Sequence, residues 1–241
     1  MEIFLDSVSV KDISAGVRMG IVKGVTTNPS LLAKEIRSLK EKSGDSSVER
    51  IIKNICSASP LLPVSVEVTA ENSDEMVRQG LCFSEWSPQV VVKIPLTDQG
   101  LKACFQLTTK GIPVNVTLCF SLIQAFLAAK AGATYISIFL GRLQDNGQDA
   151  FQILQETYQM LKKIGSSSKL LAASVRTLDH VYQSLLAGIP VATVPFSVLQ
   201  AMLQSPLTDK GLKQFQEDSK IFSSQLSLKS SQTVFQKEFS A

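Results

Sequence analysis

The stretch Val90-Val91-Val92-Lys93-Ile94-Pro95-Leu96-Thr97-Asp98-Gln99-Gly100-Leu101-Lys102-Ala103-Cys104-Phe105-Gln106-Leu107-Thr108-Thr109-Lys110-Gly111-Ile112-Pro113-Val114-Asn115-Val116-Thr117-Leu118-Cys119 decides the fold. Val90–Leu96 is a β-rich run and reads as a strand. Asp98–Lys110 has helical period, and Gly111 supplies its stop. Pro113–Cys119 is again a strand. Strand, helix and strand in that order, with short connections, make one β-then-α unit followed by the start of the next.

The same alternation extends both ways. Towards the N-terminus, Glu2–Asp6, Gly24–Thr27 and Pro63–Thr69 read as strands. Helices are expected over Val10–Met19, from Pro29 with Asn28 as its cap, over Val48–Ser57, and from the cap Asn72 through Trp86. Lys34–Asp45 is charged, contains Gly44, and reads as a helix end plus loop. Towards the C-terminus, the strands are Tyr135–Leu140, Leu170–Ser174 and Val191–Pro195. The helices there are Leu122–Ala131, Phe151–Ile164, Leu178–Ala187 and Val198–Gln204, and Arg142–Asp149 reads as a polar loop. This gives roughly eight β-then-α units, the number used by the closed parallel barrel. The expected fold is α/β, a TIM (β/α)8 barrel with an additional C-terminal helix in Leu207–Phe222, together spanning residues 1–222. Residues 223–241, rich in Ser and Gln, read as a polar tail. A doubly wound open sheet is the alternative, but no G-x-G-x-x-G follows the first strand.

Composition agrees with a large core: 44% of the 241 residues are hydrophobic and 19% are charged. The formal charge of +3 is too small to imply nucleic acid. No apolar stretch reaches the length of a membrane span, and MEIFLDS lacks the basic start of a signal peptide. His180 is the single histidine, so His-rich metal sites and most His-dependent triads are excluded, and it reads as a surface or boundary residue. The four cysteines (Cys56, Cys82, Cys104 and Cys119) form no C-x-x-C pair and read as mostly buried thiols of a cytoplasmic protein.

In such barrels the chemistry gathers at the carboxyl ends of the strands. Asp6 ends the first strand; Thr26, Thr27 and Asn28 end the second. Glu67 lies late in the third and Lys93 in the fourth. Asn115 and Thr117 share a face of the fifth, Ser137 lies in the sixth with Arg142 beyond it, and Ser174 ends the seventh with Arg176 beyond it. Lys93 is the most informative. Burial between valines and Ile94 disfavours a charged ammonium and exposes the neutral amine, the form that attacks a carbonyl to give a Schiff base. The alternative is a structural lysine paired with Glu67. Asp6 either moves a proton to or from a substrate hydroxyl or caps the next helix. Arg176 follows the seventh strand, where barrels of this kind place phosphate.

The runs Gly24-Val25-Thr26-Thr27-Asn28-Pro29-Ser30, Val92-Lys93-Ile94-Pro95 and Leu171-Ala172-Ala173-Ser174 resemble the transaldolase family, in its short single-barrel branch that includes the fructose-6-phosphate aldolases. The resemblance implies a class I mechanism with no metal and no cofactor. In it, Lys93 forms an imine with a ketose phosphate, Asp6 takes the C4 hydroxyl proton, and Glu67 and Thr117 position a catalytic water. It further implies that Thr26, Asn28, Asn115, Ser137 and Phe139 surround the bound three-carbon unit, and that Arg142, Ser174 and Arg176 hold the phosphate. Glu67 and Phe139 stand where the transferring members carry Glu and Phe and the aldolases carry Gln and Tyr. Val175 and Ser7 depart from the family's usual aromatic residue and Thr. The resemblance also implies sugar-phosphate substrates, a pentamer or decamer of identical chains, a cytoplasmic location, and neither nucleic-acid nor membrane partners. Three readings follow: a transaldolase, an aldolase releasing free dihydroxyacetone, and a catalytically idle sugar-phosphate-binding barrel.

Overall fold

The structure, a computed structural model, describes residues 1–42 and 47–222. The expected tail at 223–241 lies outside the described residues. The chain divides into two compact units, Met1–Ala201 and Met202–Ala241.

The first unit is a closed barrel of eight parallel strands in sequential order. The strands are β1 (Glu2–Asp6), β2 (Val22–Thr26), β3 (Val64–Glu67), β4 (Val90–Pro95), β5 (Val114–Cys119), β6 (Tyr135–Phe139), β7 (Lys169–Ala173) and β8 (Val191–Val194). The helices between them are α1 (Val10–Arg18), α2 (Pro29–Lys42), α3 (Val48–Ala58), α4 (Ser73–Trp86), α5 (Asp98–Thr108), α6 (Leu122–Lys130), α7 (Leu140–Asp145), α8 (Ala150–Lys163) and α9 (Leu178–Leu186). After β8 come α10 (Phe196–Met202) and, in the second unit, α11 (Pro206–Ser219), capped by the Ser205 side chain.

Period-two alternation along each strand decides what faces inward. Phe4, Val91, Tyr135, Leu171 and Val191 pack together in an apolar layer. Two residues further along the same strands stand Asp6, Lys93, Ser137, Ala173 and Thr193. The intervening residues face the helices. A Cβ on Gly80 of α4 would lie 3.1 Å from Val92, and one on Gly100 of α5 would lie 3.2 Å from Ile94. Gly24 admits the Phe4 ring, which a Cβ there would meet at 2.6 Å. The barrel floor is therefore apolar and the next layer up is polar apart from Ala173, which belongs to the apolar cluster.

The helix ends follow the sequence signals. Asn28 Oδ1 accepts the Leu31 N–H at 3.0 Å with Pro29 in the first turn of α2, and Asn72, Thr97, Ser121 and Thr177 cap α4, α5, α6 and α9 in the same way. In Lys34–Asp45 the helix end takes most of the segment, because α2 runs on to Lys42 through good helix formers such as Lys34, Glu35, Arg37 and Lys40; residues 43–46 lie outside the described residues. Two readings need correction. Arg142–Asp149 is not simply a loop, because it opens inside α7. That helix has no side-chain N-cap, and its one apolar pair, Leu140 and Leu143, gives little periodicity. It is held instead by burial of Leu140, Gly141 and Leu143 and by the Gly141 N–H donating to the Ser174 carbonyl at 3.1 Å. His180 is not a surface residue; it is 3% exposed, on the inner face of α9 beside Val181 and Ser184. The four cysteines are free thiols, with Cys56, Cys104 and Cys119 buried and Cys82 exposed.

Candidate functional site

At the carboxyl ends of the strands lies a cavity of about 490 Å³. It is lined by Asp6, Thr26, Asn28, Glu67, Lys93, Ser137, Phe139, Arg142, Ser174 and Arg176, so all but two of the expected site residues meet there. The two others, Asn115 and Thr117, are buried in β5 and do not line the cavity.

Register builds the centre of the site. Glu67 of β3 is level with Lys93, and Lys93 is level with Asn115 of β5. Lys93 is 5% exposed, with its stem in the barrel wall. Its Nζ lies 2.9 Å from Glu67 Oε2 and donates to the Thr27 carbonyl at 3.0 Å. The two readings of Lys93 therefore coincide. The amine is buried, but it is not isolated among apolar groups, because a carboxylate stands against it. On the neighbouring strand, Asn115 donates to Ser65 Oγ at 3.1 Å and accepts from Ser137 Oγ at 2.7 Å. The Thr117 hydroxyl is buried and has no hydrogen-bond partner among the described residues.

Asp6 is level with Thr26 of β2 and accepts from its hydroxyl at 2.9 Å. The Asn28 side chain, whose Oδ1 caps α2, also favours the charged form of the Asp6 carboxyl. Asp6 is not a helix cap; that role belongs to Ser9. Burial pushes the Asp6 carboxyl above its ordinary value. Lys93, Thr26 and Asn28 pull the other way without prevailing, and Glu67 adds to the rise.

Across the mouth, the Arg142 guanidinium lies 5.2 Å from the Phe139 ring centre, and Phe139 packs on Phe120 at 5.9 Å. Ser174 holds a left-handed backbone with φ of 55°, a conformation in which a side chain is strained. Arg176 pairs through both terminal nitrogens with Asp145, at 2.7 and 2.8 Å, and each partner holds the other's charge in place.

The sequence reading stops at β7 and does not name Thr193. This residue lines the cavity and shares a 2.7 Å hydrogen bond with Thr26. Its place two residues after Val191 was a usable signal. Leu118 also lines the mouth, turned there by an irregularity in β5 where its φ is 59°, and no alternation rule forecasts that. Asp145 belongs to the unforeseen α7. Among the described residues, no cluster of His, Cys, Asp or Glu could hold a metal ion.

A family model described as Transaldolase/Fructose-6-phosphate aldolase matches residues 3–240. A "Probable transaldolase" of Herpetosiphon aurantiacus is 50% identical over 218 residues, covering 90% of this chain and 94% of the relative. The "Probable transaldolase" of Dehalococcoides mccartyi is 42% identical, covering 91% and 98%. The "Probable transaldolase 2" of Listeria monocytogenes is 43% identical, covering 92% and 98%. Among solved structures, a thiamine phosphate pyrophosphorylase from Pyrococcus furiosus superposes with a TM-score of 0.54 at 12% identity, covering 80% of this chain and 85% of that one. That likeness concerns the fold alone.

Proposed function

The chain belongs to the transaldolase/fructose-6-phosphate aldolase family, and from that premise we propose that it is a transaldolase moving a dihydroxyacetone unit between sugar phosphates through a Schiff base on Lys93. The observation that carries this reading is the buried Lys93 amine, 2.9 Å from the Glu67 carboxylate, in a cavity it shares with Asp6.

Glu67 is within reach to take the proton that the amine must lose before attacking the ketone of fructose 6-phosphate or sedoheptulose 7-phosphate. Water leaves as the imine forms. Glu67 and the unpartnered Thr117 hydroxyl suit a water that carries protons in that step. Asp6 then takes the proton of the C4 hydroxyl. The C3–C4 pair flows into the protonated imine, an aldose phosphate departs, and an enamine stays on Lys93. An incoming aldose phosphate reverses the sequence. Thr26 and Asn28 flank Asp6 and, with Ser137 and Phe139, surround the three-carbon unit, while Asn115 acts through the Ser137 hydroxyl that it accepts from. Arg142, Ser174 and Arg176 take the phosphate. The Asp145 pairing uses one N–H of each terminal nitrogen of Arg176 and leaves its other N–H groups for an anion.

Glu67 and Phe139 favour transfer over free aldol release, since phenylalanine has no hydroxyl with which to protonate the enamine. The reading carries with it a place in the pentose phosphate pathway and a homo-oligomer in the cytoplasm. The free thiols support a reducing compartment, and among the described residues no helix is long and apolar enough to cross a membrane.

Borohydride reduction in the presence of fructose 6-phosphate, followed by mass spectrometry, tests the reading. A three-carbon adduct on Lys93 is expected, absent in Lys93→Ala, with steady turnover requiring erythrose 4-phosphate. No adduct would make the chain an idle barrel. Steady release of dihydroxyacetone without an acceptor would make it an aldolase.

A further inference from the structure

His180 stands outside the catalytic sequence above, yet its geometry is specific. Thr177 caps α9, so His180 occupies the third helical position. In the usual capping box a Glu or Gln there reaches back to the cap residue's own N–H. Here the ring reaches one residue further, and Nδ1 accepts the backbone N–H of Arg176 at 3.3 Å. The other ring nitrogen, Nε2, lies 2.6 Å from Gln144 Oε1 on α7. A backbone N–H can only donate, so Nδ1 is the bare nitrogen and Nε2 carries the proton that goes to Gln144. Burial holds the imidazole below its ordinary pKa, Arg176 adds to this, and Asp179 and the Ser174 carbonyl oppose it. The Phe151 ring of α8 closes the remaining side, edge-on at 5.8 Å.

The neighbouring residue of α7 completes the arrangement: Asp145 grips the Arg176 guanidinium while Gln144, through His180, grips its backbone. Helix α9 needs none of this for its cap, because the Thr177 hydroxyl already accepts the His180 N–H.

We propose that His180 is a positioning residue for substrate phosphate: as the neutral Nε2–H tautomer it locks the Ser174–Arg176 turn to α7 and so aims Arg176 at the anion. The proposal deepens the transaldolase reading and rests on it.

Replacing His180 by leucine removes both ring bonds and keeps an apolar body. Replacing it by asparagine keeps an acceptor near the Nδ1 position. His180→Leu should raise KM for fructose 6-phosphate roughly tenfold, the worth of a buried hydrogen bond, with kcat little changed. Trapping of Lys93 by unphosphorylated dihydroxyacetone should proceed as in the wild type. His180→Asn should recover most of the KM. Equal losses with both substrates, an unchanged KM in the leucine variant, or no recovery in the asparagine variant would each overturn the positioning role. Absence of any Lys93 adduct in the wild type would overturn the transaldolase reading and this proposal together. An adduct in the wild type with no KM effect would remove this proposal alone.

Discussion

In the proposed reaction Asp6 must be charged to accept a proton, yet it sits where burial opposes charge. Its raised carboxyl pKa means that the folded chain holds this proton more tightly than the unfolded chain. Below the ordinary value of 3.8 both states are protonated and Asp6 costs nothing. As pH rises through the raised folded value, the desolvated carboxylate increasingly weakens the fold. Asp6→Asn keeps an oxygen for the Thr26 hydroxyl and removes the charge. It should therefore be more stable than the wild type at neutral pH by about 1 kcal/mol, with the difference vanishing below pH 3.8. Its kcat should fall by a factor on the order of 10² or more. Denaturant unfolding of the two proteins from pH 3 to 8 checks the sign. A stability difference that did not change with pH would show that the Asp6 charge is not what burial penalises. A site residue whose removal stabilises the fold is a residue retained for chemistry.

At the scale of elements, the strands and the helices with capping residues were legible in the chain because their signals are local. Polar residues at or near the ends of apolar strands singled out Lys93, Glu67 and Asp6, and a Ser, Thr or Asn marked most helix starts. What stayed illegible depends on tertiary contact. Helix α7 has neither cap nor stripe, and it is held by burial and by the Ser174 carbonyl, just beyond β7, accepting from Gly141. His180 and Asp145 were invisible as parts of the site for the same reason, since their partners lie on other elements. Gly141 is the test of that contact. A Cβ there would lie 2.5 Å from Arg176 Nε and 2.7 Å from the Ser174 carbonyl oxygen, and the backbone oxygen has little room to yield. Alanine gains about 1 kcal/mol of helix propensity over glycine, while the clash costs about 1–3 kcal/mol. Gly141→Ala should therefore unfold at lower denaturant concentration and raise KM for fructose 6-phosphate, as measured by urea titration and steady-state assays. A variant at least as stable as the wild type, with unchanged KM, would show that α7 does not brace Arg176.

For the whole molecule, closure of the barrel leaves no free strand edge in the first unit, so any assembly between copies has to use helices and loops. In the second unit, α11 carries Leu207 at 80% and Phe215 at 71% exposure, with Leu212 also exposed between them. Apolar side chains spaced along one short helix in this way are what a subunit interface covers, and a stable interface needs about 1,000 Å² of buried surface. The homo-oligomer proposed from family resemblance gives this surface a use. Sedimentation equilibrium of the full chain should return five or ten times the single-chain mass. A double substitution of Leu207→Glu and Phe215→Glu should shift that mass towards the single chain, while far-ultraviolet circular dichroism stays that of the wild type. The cavity is built from residues of one barrel, so the dissociated variant should still form the borohydride-trapped Lys93 adduct. A wild-type mass equal to one chain would remove the assembly. Loss of the adduct on dissociation would mean that a second copy completes the site.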